Sequence, residues 1–139
     1  MYARPQGTQY WQFTQDYALA RVRDGVVQPT ARFWLMKHFT DLTPHGGDAV
    51  TAASDQKSVL VTAFRKNAAY TVHILNTGAA RMANVDGLPR GEWLLTETTE
   101  SAQYQSRAPV RSEGNGLAIS LPSRSLVTLT MQATAPSAE

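Results

Sequence analysis

Residues 29–42, PTARFWLMKHFTDL, read as one amphipathic helix in a chain that is otherwise strand and turn. Leu35, Phe39 and Leu42 recur at helical spacing, Phe33 and Met36 widen the stripe, and Trp34 adds bulk beside it. Pro29 suits the first helical position, where the N–H it lacks would have no partner. Pro44 and the pair Gly46-Gly47 stop the helix. Nothing helical returns after that. A single helix ahead of a β-domain has an apolar face and no second helix to bury it on. The pattern points to a chain that is the end of something larger.

Downstream, short strands alternate with turns. Residues 48–54 are a first candidate. Residues 58–65 (SVLVTAFR) are apolar on both faces, with Val59, Val61 and Ala63 on one and Leu60 and Phe64 on the other, as a central strand requires. Residues 69–76 (AYTVHILN) set Tyr70, Val72 and Ile74 against Thr71, His73 and Leu75, and Lys66-Asn67 suggests a hairpin before them. Residues 80–85 and 92–98 flank the turns at Asp86-Gly87 and 89–91, and 103–106 make a short strand. The turn Glu113-Gly114-Asn115-Gly116 leads into Leu117, Ile119 and Leu121. After the break at Pro122-Ser123, residues 125–132 close the domain. The fold expected is mainly β: a sandwich of about eight antiparallel strands preceded by one α-helix, with turn signals at the sandwich spacing. Upstream, residues 1–9 read as irregular, 10–20 (YWQFTQDYALA) as a short strand, and Asp24-Gly25 as a turn. The expected organisation is an N-terminal extension over 1–47, a β-sandwich over 48–132 and a disordered tail over 133–139.

Length and composition fit this outline. The 139 residues make one domain plus an extension, and 42% apolar residues suffice for a core. Charged residues are only 17%. A net charge of +2, scattered along the chain, argues against a nucleic-acid partner; Arg21 and Arg23 come nearest to a basic cluster. There is no cysteine, which excludes disulfides, Cys-ligated zinc, iron–sulfur clusters and a thiol nucleophile. No apolar run approaches the ~20 residues of a membrane span. The first residues, MYARPQG, lack the apolar region of a signal peptide and read as a cloning edge or an internal start.

The chemistry-bearing residues are sparse. Glycosidic hydrolysis needs two carboxylates facing each other across a pocket. Most of the 11 Asp and Glu residues fall in or beside expected turns, where solvated carboxylates are ordinary. No catalytic residue is assigned. His38, Asp41, His45 and Asp48 have spacings open to a metal if the helix end folds back. The plainer reading makes His38 a surface or helix-end cation, His45 a loop residue and His73 a sheet-face residue, so no metal or other cofactor is expected. No GxSxG elbow and no glycine-rich phosphate loop is present. The aromatics are the ambiguous set. Trp11 with Tyr10, Phe13 and Tyr17 can form a platform for sugar rings, and so can Trp93 and Tyr104. The alternative is that they plug the helix–sandwich junction and the core, the commoner use of Trp in a small β-domain.

Several stretches together resemble a known family: PTARFWLMKHF at 29–39, Leu42-Thr43-Pro44, VLVTAFR at 59–65, VHILNTG at 72–78 and LPSRSL at 121–126. They look like the C-terminal part of a clan A glycoside hydrolase, most like glycoside hydrolase family 30. In that family a (β/α)8 barrel carries the chemistry and its last helix runs into a β-sandwich beside the barrel. The resemblance implies that Tyr10-Trp11-Gln12-Phe13 correspond to the end of the eighth barrel strand, 29–42 to the eighth helix and 48–132 to the sandwich. The family's two catalytic glutamates lie on the fourth and seventh barrel strands, so no residue here inherits either role. Only Trp11 stands where an aromatic wall of a sugar subsite is implied.

The resemblance implies an ancillary sandwich of a retaining glycosidase, without its catalytic barrel, whose parent is secreted or periplasmic. Trp34, Leu35, Phe39 and Leu42 then become interface residues, and the partner is the barrel or, through the same helix face, a second copy. A stand-alone carbohydrate-binding module using Trp93, Tyr104 or Trp11, with a polysaccharide partner, is the alternative. A small independent enzyme is the third reading.

Overall fold

The computed structural model describes residues 18–131. Most of the strand expected over 10–20 lies outside these residues, as do Tyr10, Trp11 and the tail from 133. Ten strands and one helix follow in order: β1 (Ala20–Arg23), β2 (Val26–Pro29), α1 (Ala31–Leu42), β3 (Asp48–Val50), β4 (Val59–Lys66), β5 (Ala69–Asn76), β6 (Arg81–Val85), β7 (Gly91–Thr98), β8 (Gln105–Ser112), β9 (Leu117–Leu121) and β10 (Ser125–Met131). The chain is mainly β, as expected from its strand spacing.

Six strands form one antiparallel sheet in the order β3-β4-β5-β10-β7-β8. Among the described residues the second layer is two strands wide, β6 paired with β9. Between them lies a core of Val59, Val72, Ile74, Leu88, Trp93, Leu95, Ile119, Leu121, Val127 and Leu129. Strict alternation builds it: Val72 and Ile74 of β5 point inward with Val127 and Leu129 of β10, and the residues between them point outward. A separate hairpin, β1-β2, turns through Asp24 and Gly25, both at positive φ (51° and 75°), the geometry that favours Asp-Gly in a two-residue loop.

Three expectations need correcting. Pro29 is not the first helical residue: it ends β2, opposite Ala20, and Thr30 is the residue ahead of the helix. Thr30 does not cap with its side chain. Its hydroxyl is shared between the carbonyls of Ala18 and Leu19 (2.8 and 3.1 Å), and its N–H donates to Leu19 at 2.9 Å, which ties the helix start to the incoming chain. A proline suits an edge-strand end as well as a helix start, and here the hairpin claims it. Strand β4 is not buried on both faces. Its outer neighbour β3 has three residues, and Leu60 is 40% exposed; the strands buried on both sides are β5 and β10. Strand β8 runs for eight residues rather than four. Pro109 hides it in the sequence, yet β8 is an edge strand and its pairing with β7 slips between Trp93 and Leu95, where a missing N–H costs nothing.

The helix is not without a companion. It lies on the outer face of the six-stranded sheet, against β5, β7 and β10, with β2 beside it. What it buries is not the Leu35/Phe39/Leu42 stripe. His38 is its one fully buried residue, and Phe39 is 40% exposed. The sheet's outer face presents Thr71, His73, Thr98 and Thr128, which require polar partners, beside buried Leu126, which shares a cleft with Leu35.

Candidate functional site

The most constrained chemistry in the molecule is this seam between α1 and the sheet. Strand alternation sets it up: with Val72 and Ile74 in the core, Thr71 and His73 must face the helix, and with Val127 and Leu129 inward, Thr128 must do the same. His38 enters from α1. Its Nδ1 lies 2.7 Å from the Thr128 hydroxyl and its Nε2 lies 2.9 Å from that of Thr98. The same Thr128 hydroxyl is 2.9 Å from Nδ1 of His73, whose Nε2 is 2.9 Å from the hydroxyl of Thr43, just past the helix. Thr71 donates to the Leu42 carbonyl at 2.6 Å. The relay thus runs from Thr98 through His38, Thr128 and His73 to Thr43, and every imidazole nitrogen in it has a partner. Burial holds both rings neutral: the pKa of His38 is lowered to about 4 and that of His73 to about 3, the latter also disfavoured by its neighbour His38.

An aromatic and ionic rim closes one side. Tyr104, held at positive φ (51°), donates its backbone N–H to Thr98 at 2.9 Å and sets its ring 5.2 Å from that of His38. Trp34 lies 6.4 Å away on the same side, and Lys37 Nζ stands 4.7 Å over the Tyr104 ring. Lys37 and Asp41 are paired one helical turn apart, and the Tyr104 hydroxyl reaches Asp41 at 3.4 Å. Burial first, then the Asp41 charge, pushes the Tyr104 hydroxyl up to about 12, while the hydrogen bond from Lys37 holds Asp41 below the usual carboxylate value.

The residues singled out from the sequence fall into separate places. Trp93 is fully buried and its Nε1 donates to the Pro89 carbonyl at 3.3 Å, so it offers no face to a sugar and is corrected to a core residue. Tyr104 is half-buried, with its ring already occupied by Lys37 and His38. Trp34, Leu35 and Leu42 are half-buried along α1. Tyr10 and Trp11 lie outside the described residues. His38 is not a surface cation, and with both nitrogens on threonines it is unavailable to a metal; among the described residues no group of three or more His, Asp or Glu side chains converges. Asp41, Glu97, Glu100 and Glu113 each pair with a Lys or Arg rather than with a second carboxylate. No local motif in the sequence marks the seam. The available signal was two outward-facing polar residues, His73 and Thr128, on strands otherwise apolar enough to be central.

A second feature is a cleft of ≈ 940 Å³ left by the narrowness of the β6-β9 layer. It is lined by Val61, Ala63 and Val72 from β4 and β5 and by Ala83 and Val85 from β6, together with Arg81 and Asp86. The other edge of that layer is sealed: Arg107 donates to the Ser120 carbonyl of β9 at 3.1 Å and pairs with Glu97 at 2.9 Å.

No family model matches the sequence, and no curated protein matches it either. Solved structures do. A glycoside hydrolase family 30 endoxylanase from Clostridium papyrosolvens C71 superposes with a TM-score of 0.70 at 19% identity, over 76% of this chain and 28% of that one. A family 30 subfamily 8 xylanase from Clostridium acetobutylicum gives 0.75 at 17% identity, over 82% and 30%. The catalytic domain of the family 30 xylanase C from Talaromyces cellulolyticus gives 0.67 at 18% identity, over 88% and 29%. The chain therefore spans less than a third of the length of these enzymes. The family 30 resemblance read in the sequence holds as a likeness of fold.

Proposed function

We propose that this chain is an ancillary helix-and-sandwich region of a glycoside hydrolase, serving a catalytic (β/α)8 barrel that lies outside these residues. One observation carries the reading: the fold matches family 30 xylanases over most of this chain but under a third of theirs. The substrate class of the whole enzyme is then a xylan-type polysaccharide.

The surface for the barrel is the outer side of α1 with the hairpin beside it. Phe39 is 40% exposed there, and Val22, Val26 and Val27 are 61%, 58% and 62% exposed. Apolar surface of this kind favours a covering partner and drives self-association without one. Sedimentation over a hundredfold concentration range should show dimers or larger species, and Val22→Lys with Val27→Lys should suppress them. A strict monomer at every concentration counts against the barrel-docking surface. The isolated chain should not release sugar from xylan or aryl xylosides. Turnover that a single Asp or Glu substitution abolishes would refute the ancillary reading.

A further inference from the structure

We propose that His38 and His73 form a proton-operated latch: acidification charges the imidazoles, disrupts their threonine relay and lifts α1 off a sandwich that stays folded. This inference does not depend on the glycosidase reading. It rests on how few protons the seam accommodates. The Thr128 hydroxyl sits between two Nδ1 atoms and owns one hydrogen. With both rings neutral, one Nδ1 donates to Thr128 and the other accepts from it. His38 Nε2 then accepts from Thr98 while His73 Nε2 donates to Thr43, or both directions reverse. Either way all four imidazole nitrogens and the Thr128 hydrogen are matched. With both rings charged, two N–H groups point at one oxygen, the hydroxyl hydrogen loses its acceptor, and two cations face each other across Thr128. Burial of His38, His73, Thr98 and Thr128 makes that arrangement costly.

The neighbours do not offset the charge. From α1 come Lys37 and Asp41, already paired with each other, and uncharged Phe39, whose ring lies 4.4 Å from that of His73. The turn ahead of β8 contributes neutral Tyr104, and β4 contributes Phe64, whose ring lies 5.9 Å from that of His73. Strands β7 and β10 contribute Thr98 and Thr128, neither of them charged. At the helix end stands Thr43; beyond it the Lys66 ammonium is engaged by the His45 carbonyl at 2.6 Å. Asp41 is the one carboxylate among them, and Lys37 holds it.

The consequence is local because the hold is local. His38 is the only fully buried residue of α1, whereas β5 and β10 are also fixed by their ladder and by the core on the opposite face. The direction follows from linkage. The docked rings bind protons more weakly than free imidazole, so docking is at full strength above the free value of about 6.5 and weakens as pH falls through it toward the docked values of about 4 and about 3. Each pH unit in that window lowers the docking constant about tenfold per imidazole.

Amide hydrogen exchange on the full chain, corrected for intrinsic rates, tests this. Between pH 6.5 and 4.5 protection of α1 should fall about 100-fold or more, while β5 and β10 stay protected. His38→Leu should reduce the pH dependence of α1 protection to the His73 share, about tenfold per pH unit instead of the steeper two-imidazole response, and His45→Gln should leave it intact. If His38→Leu does not fold, the wild-type imidazole resonances decide. His38 and His73 should become charged in step with the loss of α1 protection. Rings that charge while α1 stays protected, protection of α1 that is flat to pH 4.5, or loss of α1 and β5 in a single transition would each overturn the latch.

Discussion

The two faces of the six-stranded sheet are held by different physics. The inner face packs Val72, Ile74, Trp93, Val127 and Leu129 against Ile119 and Leu121 of the narrow second layer. Its attraction is proportional to buried area and indifferent to direction. The outer face holds α1 through His38, His73, Thr98 and Thr128, where each contact needs a particular atom at a particular distance. Adjacent residues on β5 and β10 serve opposite faces, so one strand carries both regimes. The inner face supplies stability and the outer face supplies register and a dependence on protons.

The largest expected effect is on the inner face. Leu129 is fully buried on β10, the strand between β5 and β7. Leu129→Ala should cost about 2–5 kcal/mol in urea unfolding, and α1 and the sheet should weaken together. A loss confined to α1 would mean that the two faces are not separable in the way described.

Next comes the outer face. Thr128→Val keeps the shape of the side chain and removes the hydroxyl between two Nδ1 atoms. One ring must then leave a buried N–H or lone pair unmatched, at a cost of about 1–3 kcal/mol. The readout is selective: α1 amides should lose protection while the unfolding transition of the sandwich moves little. The equivalent change on the same strand, Val127→Thr, places a hydroxyl in the core and should weaken the whole sheet instead.

The difference between the faces also explains what could be read beforehand. The inner face follows from alternation alone, and residues 69–76 give β5 to the residue because Val72 and Ile74 alternate with Thr71 and His73. The start of α1 is off by two positions because Pro29 satisfies an edge strand as readily as a first helical turn. Strand β8 is masked by Pro109, whose tolerance depends on there being no strand beyond it. The seam is harder still. His38 meets Thr98 and Thr128, 60 and 90 positions away, and no local pattern links them. Helical spacing favours Leu35, Phe39 and Leu42 as the buried face, yet a sheet face rich in threonine selects the histidine. A family likeness supplies the order of elements but not this atom-level pairing.

The smallest effect belongs to the rim, where the outer face meets solvent. Lys37 and Asp41 are 31% and 40% exposed and paired along α1. Exposed pairs at this spacing contribute about 0.3–0.5 kcal/mol, and salt screens them. Lys37→Ala should therefore change stability by no more than that, and the change should fade in 1 M salt, where the Debye length is about 3 Å. The pH response has the opposite sense to that of the histidines. Asp41 is held below its usual value, so what its pairing contributes is present above the unfolded carboxylate value of 3.8 and is lost as pH falls below it. The latch weakens from about 6.5 downward, before Asp41 responds. Lys37→Ala should accordingly leave the pH midpoint of α1 release unchanged. A midpoint that shifts by a full unit would show that Lys37, through the Tyr104 ring it covers, sets the field felt by His38, and the rim would then belong to the latch.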